Sequence, residues 1–190
     1  MRTTLQETLV ANENTRRQTF KAAHFDWLLE YEEQVTHAVT LTFDPKKVMA
    51  FTGKFNRSVA INDKEMVERY QESLRNFINR LNRALYGNSA HRSANRLLFV
   101  PVIEGLNNGE VPHYHCSVGI SKDRAEVFEE KVKACWAQVP FAGIQIKVEP
   151  YRDAGWLSYS TKGSKFINRP SIDWLNVRIP SSPNSVTTES

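Results

Sequence analysis

Apolar side chains recur along this chain with two periods. Val35 to Phe43 (VTHAVTLTF) is rich in β-branched residues and reads as a strand that Asp44-Pro45 ends. Residues 45–60 show no clear period and read as loop. Asn62-Asp63-Lys64-Glu65 has the form of a capping box. After it, Met66, Val67, Tyr70, Leu74, Phe77, Ile78, Leu81 and Leu85 form a helical stripe, which Gly87-Asn88 stops. Arg96 to Glu104 (RLLFVPVIE) is apolar on both faces, which predicts a central strand. Asn107-Asn108-Gly109 is a turn signal, and His113 to Ile120 follows as the next strand.

Ser121 is placed to cap a second helix from about Lys122 to Val139, with Val127, Phe128, Val132, Cys135 and Trp136 inward. Gly143 to Glu149 (GIQIKVE) alternates as a strand, and Asp153 to Gly163 reads as a short helix. Upstream, Phe25, Trp27, Leu28, Leu29 and Tyr31 predict a helix before the first strand. The element order is β-α-β-β-α-β, which predicts an α+β, ferredoxin-like split-βαβ fold: a central antiparallel sheet with flanking helices. Three regions follow: an N-terminal extension over 1–34, partly helical; the domain over 35–167; and a C-terminal extension over 168–190, whose Ser/Thr/Pro-rich end predicts disorder.

Composition narrows the setting. The 190 residues are 41% hydrophobic and 24% charged, enough apolar material for one packed domain. No apolar run reaches the ~18 residues that span a bilayer, so no membrane partner is expected. Two cysteines, Cys116 and Cys135, are too few for a disulfide scaffold and predict a reduced, intracellular setting. The net charge of +4 permits an anionic partner.

The chemistry concentrates in His113-Tyr114-His115-Cys116-Ser117. Alternation along a strand sends His113, His115 and Ser117 to one face, and Tyr114, Cys116, Val118 and Ile120 to a core face. Two imidazoles on one face can share a metal ion. Glu104 ends the preceding strand, and a short hairpin would lay it beside His113. Two histidines and a carboxylate suit Mn²⁺ or Mg²⁺ with open positions for water and phosphate, and zinc also fits that donor set. Nearer the C-terminus, Tyr159 and Lys162 are three residues apart and share a helix face. A lysine there favours a phenolate nucleophile or stabilises charge on a phosphate. Thr40 and Thr42 share the polar face of the first strand, and Arg96 and Lys165 are candidate phosphate contacts. Trp136, Trp156 and Trp174 read as core residues rather than base-stacking platforms.

Over residues 35–165 these features resemble the HUH endonucleases, which nick single-stranded DNA. Three motifs stand in the family's order: Ala38-Val39-Thr40-Leu41-Thr42-Phe43, then His113-Tyr114-His115, then Tyr159-Ser160-Thr161-Lys162. Glu104, nine residues before His113, is similar in spacing to the acidic ligand of small viral replication initiators. The single-tyrosine motif is also similar to theirs. Relaxases carry a third histidine and an N-terminal tyrosine, and two-tyrosine initiators carry Tyr-x-x-x-Tyr, where this chain has Gly163. No G-x-x-x-x-G-K-[ST] is present, because Val48 stands where the first glycine before Gly53-Lys54 belongs.

The resemblance implies a metal-dependent endonuclease that nicks and joins single-stranded DNA, an origin or a hairpin, through a 5′-phosphotyrosine, in rolling-circle replication. It implies Tyr159 and Lys162 as catalytic residues, Glu104, His113 and His115 as ligands of Mn²⁺ or Mg²⁺, Thr40, Thr42, Arg96 and Lys165 as DNA contacts, and a separate helicase as partner, in the cytoplasm, or in the nucleus for a protein of a eukaryotic virus. The alternatives are a relaxase or transposase with the same chemistry, a non-cutting DNA-binding module of the same fold, and a metal-dependent hydrolase that uses water.

Overall fold

The computed structural model describes residues 22–54, 64–87, 97–106, 112–160 and 172–180; the side chains of residues 64 and 158–160 lie outside that description. A helix over 22–29 (α1) leads to β1 (His37–Phe43), α2 (Pro45–Thr52), α3 (Lys64–Tyr86), β2 (Leu98–Glu104) and β3 (His113–Gly119). Then come α4 (Ala125–Trp136), β4 (Ala142–Pro150), α5 (Ala154–Ser160) and a 3-10 turn at Trp174–Asn176. The four strands form one sheet in the order β2-β3-β1-β4, with every neighbouring pair antiparallel. This is the α+β, ferredoxin-like arrangement expected from the element order.

The apolar stripe of α3 and the inward side of α4 cover one face of the sheet. Val39, Leu41 and Phe43 of β1 and Tyr114, Cys116 and Val118 of β3 pack there with Leu74, Phe77, Phe128 and Trp136. Cys116 and Cys135 are buried and unpaired by any disulfide. The opposite face has a second, smaller core in which Val100 and Val102 of β2 meet Leu28 of α1, Leu157 of α5 and Ile172. Segments on both sides of the βαββαβ unit therefore complete this face. Toward β1 and β4 it stays open: Thr40 and Thr42 are half-buried, and Gln145 and Lys147 are exposed.

Several expectations need correction. Residues 45–52 are helical rather than loop. Asp44-Pro45 does end β1, but it also starts a helix: the Asp44 carboxylate accepts from the Lys46 N–H (2.8 Å), Pro45 fits the first turn, and Gly53 closes the helix at φ 64°. Val48 is the one buried residue of α2, so the helix leaves almost no apolar period to read. The proposed capping box at Asn62-Asp63 lies outside the described residues. Ser121 makes no side-chain capping bond; a 3-10 turn over Lys122–Arg124 precedes α4, and Val127 is 38% exposed. Trp174 is 45% exposed, not core, and its ring packs 4.8 Å from that of Trp27.

β2 is an edge strand, not a central one. Its Pro101 has no N–H to donate, which restricts a strand proline to an edge. Residues 172–178 cover that edge. Phe99 and Arg178 exchange two backbone hydrogen bonds of 2.8 Å, and the Asp173 N–H donates to the Pro101 carbonyl (2.9 Å). The strap alternates like a strand, with Ile172 entering the second core and Asp173 the first face. Asp173 is 3% exposed and accepts from the Tyr114 hydroxyl (3.0 Å), the Asn176 amide (2.6 Å) and the Gln71 amide (3.1 Å). Both flanks of Pro101 therefore read as apolar because helices cover the faces and the strap covers the edge. Among the described residues no helix is long and apolar enough to cross a membrane.

Tyr114→Phe removes one donor from a fully buried carboxylate. It should cost about 1–3 kcal/mol in urea unfolding with an unchanged denaturant slope. A loss below about 0.5 kcal/mol would mean that this bond contributes little.

Candidate metal centre

The pairing of β2 with β3 places Glu104 directly opposite His113 and Val102 opposite His115. His115 then lies diagonal to Glu104 on the same face, within reach of a long side chain. Glu104 Oε2 stands 3.1 Å from His115 Nε2 and 3.3 Å from His113 Nε2, so one carboxylate oxygen sits between two imidazoles. The two rings are nearly perpendicular, with centroids 4.8 Å apart. Ligand atoms of Glu104, His113 and His115 all lie within 4.8 Å of one another, a group that can hold a metal ion. Among the described residues no other group of three His, Cys, Asp or Glu side chains converges in this way.

The distances fit the donor set. Two atoms about 2.1 Å from one ion and about 90° apart are about 3.0 Å from each other. The hairpin geometry thus holds the side chains close to ligating positions. His115 is 5% exposed, while Glu104 and His113 are half-buried at the mouth of the site. The hydrogen bond from His113, and then that from His115, lower the Glu104 carboxyl from its ordinary 4.5 to about 2, against the opposing effect of burial.

Nothing among protein-family models, curated proteins or solved structures matches this chain. Thr40 is opposite His115 across β1 and β3, with its hydroxyl 3.2 Å from His115 Nδ1. Thr42 is opposite His113, but its hydroxyl donates to the Gln145 carbonyl (2.7 Å) where β1 and β4 shift register. Trp156 of α5 sets its ring edge-to-face with His115, centroids 5.4 Å apart. This neighbour was missed in the sequence. The signal for it was Trp156 standing three residues before Tyr159 on the predicted helix. The backbone of residue 159 is in α5, and its side chain lies outside the described residues, as do Arg96, Lys162 and Lys165.

Tyr151 belongs elsewhere. Its N–H bonds the Thr36 carbonyl, four residues and about 13 Å along β1 from Thr40. Its hydroxyl donates to the Glu32 carboxylate (2.8 Å), and burial followed by that carboxylate raises its phenol well above the ordinary range.

A carboxyl whose folded pKa is depressed adds stability above its ordinary pKa, and that stability is lost as pH falls through the folded value. In metal-free protein the stability gap between wild type and Glu104→Gln should therefore shrink as pH falls from about 5 to about 2. Urea unfolding in chelator across that range tests it; a gap independent of pH would show that the imidazoles do not stabilise the carboxylate.

Proposed function

We propose that this protein is a metal-dependent, single-tyrosine endonuclease that nicks and rejoins single-stranded DNA and so initiates rolling-circle replication. The observation that carries this reading is the convergence of Glu104, His113 and His115 beneath the helix that bears Tyr159. β4 ends at the far end of β1, where Tyr151 bonds Thr36; by Trp156 the chain has returned to the level of His115. Residue 159 follows Trp156 by one turn, about 4.5 Å along the helix axis. If α5 keeps the heading from Tyr151 to Trp156, residue 159 comes toward the Glu104–His113 end of the cluster. Tyr151, half-buried with its hydroxyl bonded to Glu32 at the opposite end of the sheet, is a poor rival for the role of nucleophile.

The chemistry follows from the residue types. Glu104, His113 and His115 would hold Mn²⁺ or Mg²⁺, which supplies Lewis-acid polarisation of the scissile phosphate. Three protein ligands leave positions for phosphate and water. The Tyr159 oxygen attacks phosphorus in line and forms a phosphotyrosyl ester with the 5′ side. The bond to the 3′ oxygen breaks, and that oxygen leaves as the 3′-hydroxyl after taking up a proton. The ester conserves the phosphodiester bond, so a 3′-hydroxyl can attack it in reverse and rejoin the strand. Lys162, three residues after Tyr159 in the sequence, favours the phenolate or balances charge on the phosphate. The open strip beside the cluster, with Thr42, Gln145 and Lys147 along β1 and β4, offers a polar path for one strand. A separate helicase supplies the unwound substrate.

With labelled single-stranded DNA and Mn²⁺, a denaturing gel should show a covalent protein–DNA adduct that Tyr159→Phe abolishes while DNA binding survives. The His113→Ala, His115→Ala double variant should form no adduct. Cleavage without adduct would favour the water-using hydrolase, and binding without cleavage the non-cutting module.

Lys162→Ala should slow single-turnover cleavage at saturating enzyme by ~10²-fold or more. It should weaken DNA binding only slightly, because one phosphate contact is a small part of the electrostatic total. An unchanged rate with weaker binding would make Lys162 an ordinary backbone contact.

A further inference from the structure

We propose that Thr40 is a positioning residue of the metal centre, its hydroxyl holding His115 by Nδ1 so that Nε2 can pass from the Glu104 carboxylate to a divalent cation. This rests on the metal-binding reading above and adds a residue that the cluster itself does not contain.

His115 is gripped on three sides. Glu104 is 3.1 Å from Nε2, Thr40 Oγ1 is 3.2 Å from Nδ1, and the Trp156 ring meets its face at 87°. A neutral imidazole carries one N–H, and a carboxylate only accepts. With no cation bound, a neutral ring bonded to Glu104 through its Nε2–H would accept from the Thr40 hydroxyl at Nδ1, and a ring protonated at both nitrogens would donate to it. A cation needs the Nε2 lone pair. The ring's N–H must then be on Nδ1, and Thr40 must accept it.

A hydroxyl meets both demands by rotating about its C–O bond. A carbonyl or carboxylate in the same place would only accept and would hold the proton on Nδ1 permanently. A methyl group would satisfy neither state. Threonine thus keeps the ring in one orientation whether the site is empty or filled. The neighbouring Thr42 cannot serve His113 in this way while its hydroxyl is committed to the Gln145 carbonyl, 2.7 Å away. The β1–β3 register fixes the partnership, since Thr40 and His115 are paired directly across the sheet.

The test uses the full chain and the metal alone. Mn²⁺ affinity is measured by titration calorimetry for wild type, Thr40→Val, Thr40→Ser and the His113→Ala, His115→Ala double variant. The imidazole ¹⁵N shifts of His115 are recorded in metal-free and Zn²⁺-loaded protein. Thr40→Val should weaken Mn²⁺ binding about tenfold or more and shift the Nδ1 resonance of His115, which loses its partner, whereas Thr40→Ser, which keeps the hydroxyl, should restore both. Thr40→Val with wild-type affinity and an unchanged nitrogen pattern would overturn the proposal, even if it bound DNA more weakly. So would Thr40→Ser losing as much affinity as Thr40→Val. Wild type binding Mn²⁺ no better than the double histidine variant would overturn the metal-binding reading itself.

Discussion

β3 is hydrogen-bonded on both sides, to β2 with Glu104 opposite His113 and to β1 with Thr40 opposite His115. Neither pairing can slip by one residue, because the side-chain period of a strand is two. A slip would turn both histidines into the α3–α4 core and bring Tyr114, Cys116 and Val118 out to the open face. The core forbids this. Those three side chains are fully buried, and Tyr114 is bonded to a carboxylate on that side. The hydrophobic packing of one face thus sets the geometry of the metal cluster on the other. The cluster in turn adds little that would define the register by itself.

The C-terminal strap contacts both strands of the candidate metal site. It pairs with the outer edge of β2, the strand that carries Glu104, and through Asp173 it holds Tyr114, which lies between the two histidines. A buried carboxylate is costly unless its oxygens are bonded, and Asp173 receives bonds from three side chains on β3, α3 and the strap. The strap therefore both closes an exposed strand edge, a common site of unwanted pairing, and ties β3 to α3 from behind.

Much of this arrangement was legible in the sequence because it depends on local period. The stripe from Met66 to Leu85, the alternation through His113–Ile120 and the order of elements were enough for the sheet topology. The pairing of Glu104 with His113 followed from a short hairpin. Features that depend on non-local closure were less legible. β2 read as central because its apolar residues are covered on both faces, but nothing local showed that residues 172–178 supply the missing neighbour. Pro101 was the available sign of an edge. α2 escaped because a two-turn helix with one buried side chain has no period to detect. The role of Thr40 needed the β1–β3 register, and Trp156 at His115 needed the return path of α5.

The electrostatics of the cluster explain how its three side chains can be held together without a cation. Three inward-facing ligands with unsatisfied lone pairs would be costly to hold together. Here each imidazole nitrogen that would bind the cation is instead in contact with the carboxylate oxygen that would bind it too. The side chains satisfy one another at separations close to those imposed by a shared ion. A cation would take the place of a proton at each Nε2, on side chains already held close together. His113 is nearer the mouth, and His115, 5% exposed, keeps a hydroxyl at Nδ1 that can accept the ring's N–H. The strand register puts that hydroxyl there.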